Sequence, residues 1–501
     1  MESLGYLLQG FETAITWWNL LYCLIGVTFG MFVGVLPGLG PTAGIALLLP
    51  MTFGMEPVSS VIMLAGIYYG AMYGGTITSV LINTPGESAS LMTCLDGYPL
   101  AKQGRAGTAL GVAGIGSFIG GTIAIIGLMI LGPAIAKQAL KFGPPEYFAL
   151  VVVGLSLVIG LLGKSLIKGL IAALFGLTLA FVGMDPVTAT VRFAFGQENL
   201  ADGFSFISIA MGMFGLSELF INAEENLKAK GERPPKIQNM LPRREEWNPV
   251  LKSIFRGSFL GFILGLVPGT NSVIPTILSY SLEKKIAKDP SRFGKGALEG
   301  VAGPETANNA YSGGALIPLF TLGIPSSPAV AVLLGAFIIH GLTPGPTLMQ
   351  KNPQFVWGVI ASMFIGNLIL LIMNLPMANL WARITMVPFK LLLPIIFIVT
   401  AVGSFSINNS LFDVGAMLIF GIIGYFMKKM EFPVGPVILT FVLGKIMESS
   451  LLKSLTMFSG KFYMFFQRPI SATLLIIAIA TIVISLSLEF KNKKIGGEVE
   501  I

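Results

Sequence analysis

Four short proline-containing loops, each set in apolar sequence, carry most of the polar groups that could bind a small molecule. The loops contain Pro37, Pro85, Pro268 and Pro325. Proline removes a backbone N–H and glycine tolerates unusual backbone angles, so each loop predicts a break in a helix. A broken helix directs the positive end of its dipole at whatever fills the gap. Such loops can therefore hold an anion without a lysine or an arginine.

The groups that we predict for substrate contact come from all four loops, and they are helix-breaking residues or carry hydroxyl and amide groups. They are Pro37, Gly38, Gly40, Thr42, Thr84, Pro85, Gly86, Ser88, Gly269, Thr270, Asn271, Ser272, Pro325, Ser326 and Ser327. Glu87 lies beside them. The alternative is that the Ser and Thr side chains only cap helix ends, as they commonly do. Taken as a set of four loops, they favour a binding site.

A second polar cluster, residues 299–314, lies between a basic loop and an apolar span. An ionisable residue inside a membrane is costly and by default indicates function, which singles out Glu305. With Asn308, Asn309 and Ser312 it offers the hard oxygen ligands that a sodium ion would use. Protonation of Glu305 would serve a proton-coupled process instead. The alternative is that Glu305 lies at a helix N-terminus and interacts only with the dipole.

Several other titratable and aromatic residues are assigned structural roles. Asp96 is interpreted as a turn residue, and Tyr68, Tyr69 and Tyr73 are expected to pack as aromatic side chains. Two cysteines without CxxC spacing and a single histidine exclude a conventional zinc site. A membrane enzyme would need a carboxylate run for a metal–diphosphate or a catalytic His/Ser set, and the sequence has neither. We therefore expect no enzyme activity and no cofactor beyond a coupling ion.

Composition requires lipid as the solvent for the elements that position these loops. The chain has 501 residues, of which 54% are hydrophobic and only 11% are Asp, Glu, Lys or Arg. A typical soluble domain has roughly 25% charged residues. The net charge of +7 fits basic cytoplasmic loops better than an anionic partner. No basic stretch interleaved with aromatics indicates nucleic-acid binding.

Apolar segments near 20 residues recur along the chain, and some are too short to cross a bilayer alone. The pattern predicts an all-α polytopic membrane protein with about 12 crossings, broken helices and re-entrant hairpins. The N-terminus lacks the basic region of a cleavable signal peptide. No lysine or arginine precedes Lys102, which favours an N-terminus on the outer side.

The two halves of the chain share landmarks in the same order. GVLPGLGPTAG at 34–44 is matched by GLVPGTNSVIP at 265–275, and the segment 73–90 is matched by 311–330. Paired interruptions of apolar segments in two halves are the best sequence indication of a transporter site. The predicted organisation is a first transmembrane half at 1–223, a polar cytoplasmic linker at 224–250, a second half at 251–490 and a cytoplasmic tail at 491–501.

Five segments resemble the signature segments of the large membrane subunit of tripartite tricarboxylate transporters. They are VLPGLGP, YYGAMYGGTITSVLINTPGESAS, DGYPLAKQGRAG, FGKGALEGVAGPETANNA and LFTLGIPSS. The resemblance implies a secondary transporter that uses a sodium or proton gradient to import citrate and other di- and tricarboxylates across the bacterial inner membrane. It also implies two partners, a soluble extracytoplasmic binding protein and a small four-helix membrane subunit.

The sequence departs from the family pattern at two places. The second Pro-Gly loop usually continues with glycine and small residues, whereas here Gly269 is followed by Thr270, Asn271 and Ser272. The second hairpin commonly has Pro-Gly, whereas here Pro325 is followed by Ser326. Both changes leave the exact carboxylate open. A stand-alone secondary transporter or a channel for another small organic anion remains an alternative, although paired helix breaks favour alternating access.

Overall fold

The computed structural model describes residues 2–36, 38–161, 165–185, 187–226, 237–385 and 389–496. These residues are helical almost throughout, so the predicted all-α class is confirmed. The β-structure among them is one antiparallel pair, β1 (Gly183–Met184) and β2 (Val191–Arg192). Pro37, residues 227–236 of the predicted linker and residues 497–501 of the predicted tail lie outside the described residues.

The helices before the predicted linker alternate between long apolar segments and short ones. They are α1 (Glu2–Ala14), α2 (Trp17–Val35), α3 (Gly40–Leu48), α4 (Pro57–Ile82), α5 (Leu91–Lys102), α6 (Ala106–Ala139), α7 (Pro144–Leu161), α8 (Leu166–Ala180), α9 (Phe206–Ala210) and α10 (Ser217–Asn226). A π-helix, Met211–Leu216, joins α9 to α10, and short 3-10 helices cover Leu49–Thr52, Ser88–Ser90 and Glu198–Leu200.

The helices after the linker show the same alternation. They are α11 (Trp247–Gly265), α12 (Val273–Ile286), α13 (Glu299–Leu322), α14 (Pro328–Ile339), α15 (Pro346–Lys351), α16 (Pro353–Asn374), α17 (Ala378–Ile384), α18 (Phe389–Asn408), α19 (Leu411–Lys429), α20 (Gly435–Met457), α21 (Met464–Gln467) and α22 (Pro469–Gly496). Two further 3-10 helices cover Arg244–Glu246 and Pro290–Arg292.

Seven helices among the described residues are long and apolar enough to cross a membrane. They include α2, α4, α6 and α16, together with the continuous helix Phe206–Glu224. The two short helices α3 and α14 are apolar but have only 9 and 12 residues, which is less than a bilayer requires. The chain is therefore a multi-pass membrane protein with short helices inserted between long ones.

Glycines at four-residue intervals hold two helix pairs in backbone contact. In α2, Gly26, Gly30 and Gly34 face Met63, Ile67 and Ala71 of α4, and in α11, Gly257, Gly261 and Gly265 face Gly303, Ala307 and Tyr311 of α13. Small residues allow such close approach in lipid. The contacts ascend together along both partners, so each pair is parallel. The intervening segments, which contain α3 and α12, must return the chain across the same depth.

The described end of the predicted linker contacts the start of α6. The Thr108 hydroxyl donates to the Asn239 carbonyl at 3.0 Å, and Arg105 pairs with Glu246 at 2.7 Å. The described linker residues before Glu246 are mostly exposed. Residues 239–246 of the predicted linker are therefore fixed to the start of α6.

Candidate functional site

A cavity of about 340 Å³ lies where the four proline loops meet. The Pro37 and Pro85 loops contact each other directly, because the Gly38 N–H donates to the Gly86 carbonyl at 3.3 Å. Eight of the predicted substrate residues line this cavity. They are Gly38, Gly40, Thr42, Pro85, Ser88, Asn271, Ser272 and Ser327.

Four helix N-termini point at this cavity. Its lining includes the first residues of α3, of the short helix Ser88–Ser90 that leads into α5, of α12 and of α14. The first N–H groups of a helix have no partner within it, and the dipole places roughly half a positive charge there. The described lining has no lysine or arginine. Any positive potential that the described lining provides therefore comes from the backbone.

The other predicted loop residues that the structure describes do not line the cavity. Thr84 is exposed, and its hydroxyl donates to the Ile82 carbonyl at 3.2 Å. Gly269 has a positive φ of 81°, which glycine adopts without strain. Pro325 is buried behind Ser326, whose hydroxyl donates to the Ala315 carbonyl at 3.3 Å.

Thr270 and Tyr311 tie the two loops of the second half together. The Thr270 hydroxyl lies 2.9 Å from the carbonyl oxygens of Leu264 and Val267 at the end of α11. The Tyr311 hydroxyl lies 2.9 Å from the Thr270 carbonyl and 3.4 Å from the Ser326 carbonyl. The Thr270 hydroxyl thus contacts the end of the preceding helix and does not line the cavity, whereas Tyr311 does.

Glu87 is the acidic residue that the predicted set leaves out. It is buried, lines the cavity and accepts a hydrogen bond from the Asn308 amide at 2.5 Å. The signal that could have identified it is an acidic residue directly after a helix break in apolar sequence. The other carboxylate of the lining, Glu218, pairs with Lys428 at 2.5 Å.

Glu305 lies outside the cavity in a buried pocket of hydroxyl groups. Thr76 of α4 donates to one carboxylate oxygen at 2.6 Å, and Thr93 of α5 donates to the other. Glu305 is in the second turn of α13, which begins at Glu299, whereas the dipole acts mainly within the first turn. Two hydroxyl donors from two other helices, rather than the dipole, therefore hold this carboxylate.

The predicted cation residues divide between two sides of α13. Asn308 donates to Glu87, which lines the large cavity. Asn309 and Ser312 instead line a second, much smaller cavity. Among the residues described by the structure, no group of three or more His, Cys, Asp or Glu side chains could hold a metal ion.

Asp96 is not a turn residue, so that prediction is wrong. It is a fully buried residue of α5, and its carboxylate accepts from the backbone N–H groups of Gly294, Gly296 and Ala297 at 2.8–2.9 Å. The Tyr280 hydroxyl also donates to it at 2.9 Å. Asp96 therefore fixes the basic loop that precedes α13.

The tyrosines of α4 are buried, as expected for packed aromatics. Tyr68 also lines the large cavity, whereas Tyr69 and Tyr73 line the small one. Side chains of one helix therefore line both cavities.

Comparison with known proteins gives a family match over most of the chain. The family model described as "Tripartite tricarboxylate transporter TctA family" matches residues 20–439. An "Uncharacterized 52.8 kDa protein in TAR-I ttuC' 3'region" of Agrobacterium vitis is 46% identical over 495 residues, which cover 99% of this chain and 98% of the relative. An "Uncharacterized protein in TAR-II ttuC' 3'region" of the same organism is 43% identical over 234 residues, 47% of this chain and 97% of the relative. No solved structure matches.

Proposed function

Because the chain belongs to the tripartite tricarboxylate transporter TctA family, we propose that it imports di- and tricarboxylates such as citrate. In this proposal it is the large membrane subunit of a binding-protein-dependent system in the bacterial inner membrane. The observation that carries the proposal is the convergence of four helix N-termini on one cavity.

Carboxylate groups match the chemistry of this cavity. Helix N-termini at discontinuous membrane helices hold anionic substrate groups through backbone N–H groups and dipoles. The hydroxyls of Thr42, Ser88 and Ser272 and the amide of Asn271 add neutral hydrogen-bond donors. A substrate with several carboxylates can engage more than one helix end at once, which favours di- and tricarboxylates over monocarboxylates.

A coupling cation solves the charge problem that Glu87 creates. A buried carboxylate beside an anionic substrate is unfavourable unless a proton or a metal cation balances the charge. Glu87 contacts Asn308 on α13, and the same helix carries Glu305 one turn earlier. We therefore propose that a sodium ion or a proton enters with the substrate and acts through Glu87, Asn308 and Glu305.

Family membership also bears on the number of membrane crossings and on the partner subunits. We propose about 12 crossings in two repeat-related halves, because the glycine contacts of the pair α2–α4 correspond to those of α11–α13. The family also favours two partners, a small four-helix membrane subunit and an extracytoplasmic solute-binding protein. The binding protein would deliver the carboxylate to the cavity.

Uptake of radiolabelled citrate tests the proposal. Cells that express this chain with the neighbouring small subunit and binding protein should accumulate citrate above the external concentration. Collapse of the sodium or proton gradient should abolish that accumulation. Accumulation without the partners would favour a stand-alone transporter, and equilibration without accumulation would favour a channel.

A further inference from the structure

A small buried cavity lies apart from the substrate cavity, between α4, α6, α13 and α16. Its volume is about 10 Å³, which is the room that one water-sized particle needs. Five polar side chains line it, namely Tyr69, Tyr73, Asn309, Ser312 and Asn367. All five are at most 5% exposed.

The donors of the α13 residues are already used by fixed partners. The Asn309 amide N–H₂ group donates to the Ser117 hydroxyl at 2.7 Å and to the Glu305 carbonyl at 3.1 Å. Its amide oxygen is buried and has no hydrogen-bond partner. The Ser312 hydroxyl donates to the Asn309 carbonyl at 2.7 Å, which leaves its oxygen lone pairs available to the cavity.

The opposite wall has the same character. The Asn367 amide N–H₂ group donates to the Phe118 carbonyl at 2.9 Å and lies 3.0 Å from the Thr122 hydroxyl. The Tyr73 hydroxyl donates to the Asn367 amide oxygen at 2.6 Å. Asn309, Ser312, Asn367 and Tyr73 thus donate their protons to fixed partners and keep oxygen lone pairs, so four of the five polar side chains can act as acceptors.

We propose that this cavity binds one sodium ion through the oxygens of Asn309, Ser312, Asn367 and Tyr73. Hard cations take oxygen ligands, and a buried acceptor without a partner is costly unless something satisfies it. The cavity has no carboxylate in its lining, so its neutral oxygens suit a monovalent rather than a divalent cation. Glu305, one helical turn before Asn309, lies nearby without lining the cavity.

The site explains how ion and substrate could be linked in the proposed transporter, on which this inference depends. Asn308 contacts Glu87 at the substrate cavity, and the next residue, Asn309, faces the ion cavity. Adjacent residues of one rigid helix thus serve the two sites. Glu305 and Asn308, which the sequence also predicts as ion ligands, are not direct ligands in this assignment.

Binding of ²²Na⁺ to the purified full-length chain tests the assignment. The wild-type protein should bind ²²Na⁺ saturably, with competition by NaCl but much weaker competition by KCl or choline chloride. Changes outside the ligand shell already weaken metal sites by about 10- to 100-fold, so Ser312→Ala and Asn309→Ala should weaken binding at least about ten-fold. Ser258→Ala is the matched control, because Ser258 is equally buried and donates to its own helix but lies outside the cavity.

The outcomes separate an ion site from a trapped water molecule. Absence of saturable, sodium-selective binding in the wild type, or equal binding by Ser312→Ala and wild type, overturns the assignment. Gel-filtration profiles matching the wild type show that a variant is folded. Asn367→Ala and its control Asn374→Ala, a buried residue further along α16 and outside the cavity, offer a second pair. Because the assay needs neither carboxylate nor partner proteins, failure of citrate uptake would contradict the proposed function without affecting this result.

Discussion

The Pro85 loop (residues 83–87) and the Pro325 loop (residues 323–327) share a backbone design and differ in chemistry. Each follows a helix that ends on a residue with positive φ, 54° at Asn83 and 72° at Gly323. Each also delivers a helix N-terminus to the cavity. The corresponding last residues are Glu87, which accepts from Asn308, and Ser327, which accepts from the Val330 N–H at 3.3 Å.

The different last residues give the two loops different roles. The Pro325 loop ends on a neutral hydroxyl that caps its own helix and lines the large cavity. The Pro85 loop ends on a carboxylate that reaches across to α13. In the proposed transporter, helix N-termini from both parts of the chain therefore bind the anionic substrate, whereas the proposed link to the cation belongs to the Pro85 loop alone.

Exchanging the residue after the proline between the two loops should have the largest effect on folding and uptake. Gly86→Ser copies Ser326 into the Pro85 loop, but the added Cβ would lie 2.6 Å from the Gly75 Cα and collide with the Gly34 carbonyl. We expect loss of folded protein and of uptake, measured by membrane abundance and citrate accumulation. The reverse change, Ser326→Gly, is the matched control and should leave abundance near wild type. Normal abundance of Gly86→Ser would show that the two loops are interchangeable.

Removing the charge of the Pro85 loop should impair transport without unfolding. Glu87→Gln keeps the side-chain shape and an oxygen acceptor for Asn308. A hydrogen bond to a charged group contributes about 1.5–3 kcal/mol, so the initial uptake rate should fall about 10- to 100-fold at unchanged abundance. An uptake rate equal to wild type would assign Glu87 a purely structural role.

Glu305→Gln tests whether Glu305 also takes part in the proposed coupling between cation and substrate. The two threonine hydroxyls that donate to Glu305 would lose a charged acceptor, so gradient-driven uptake should fall about ten-fold. The informative readout is the dependence of uptake on the imposed sodium or proton gradient, with membrane abundance as the control. If abundance fell together with uptake, the structural interpretation of Glu305 would stand.

Ser327→Ala should have the smallest effect. Loss of a helix cap costs about 1 kcal/mol, which corresponds to roughly a five-fold rise in the half-saturating citrate concentration. The helix N-terminus itself stays in place, so the maximal rate should hold near wild type. A loss as large as that of Glu87→Gln would mean that the Pro325 loop does more than orient the substrate.

Local sequence rules could predict the helix breaks but not which of their residues line the cavity. Proline and glycine act on their own backbone, so the four loops were identifiable from residue type alone. Thr42 faces the cavity and Thr84 does not, and only the packing of the loops decides this. The count of crossings and the repeat stay predictions.

Distant contacts explain what the sequence could not reveal. Tyr73 donates to Asn367 across 294 positions of the chain, and no periodic pattern encodes that pairing. Asp96 lies in a Gly- and Pro-containing segment that is typical of a turn. Backbone groups some 200 residues away, at Gly296 and Ala297, instead give it a buried structural role.

The glycine contacts between α2 and α4 have a mechanical consequence. With main chain touching main chain along three successive turns, few side chains remain between the helices to change rotamer and absorb a displacement. We therefore expect the two helices to move as one rigid unit. The loops that follow their C-terminal ends are joined by the hydrogen bond between Gly38 and Gly86. Both loops should then move together, so we expect the cavity to open by a tilt of the pair α2–α4 relative to the pair α11–α13.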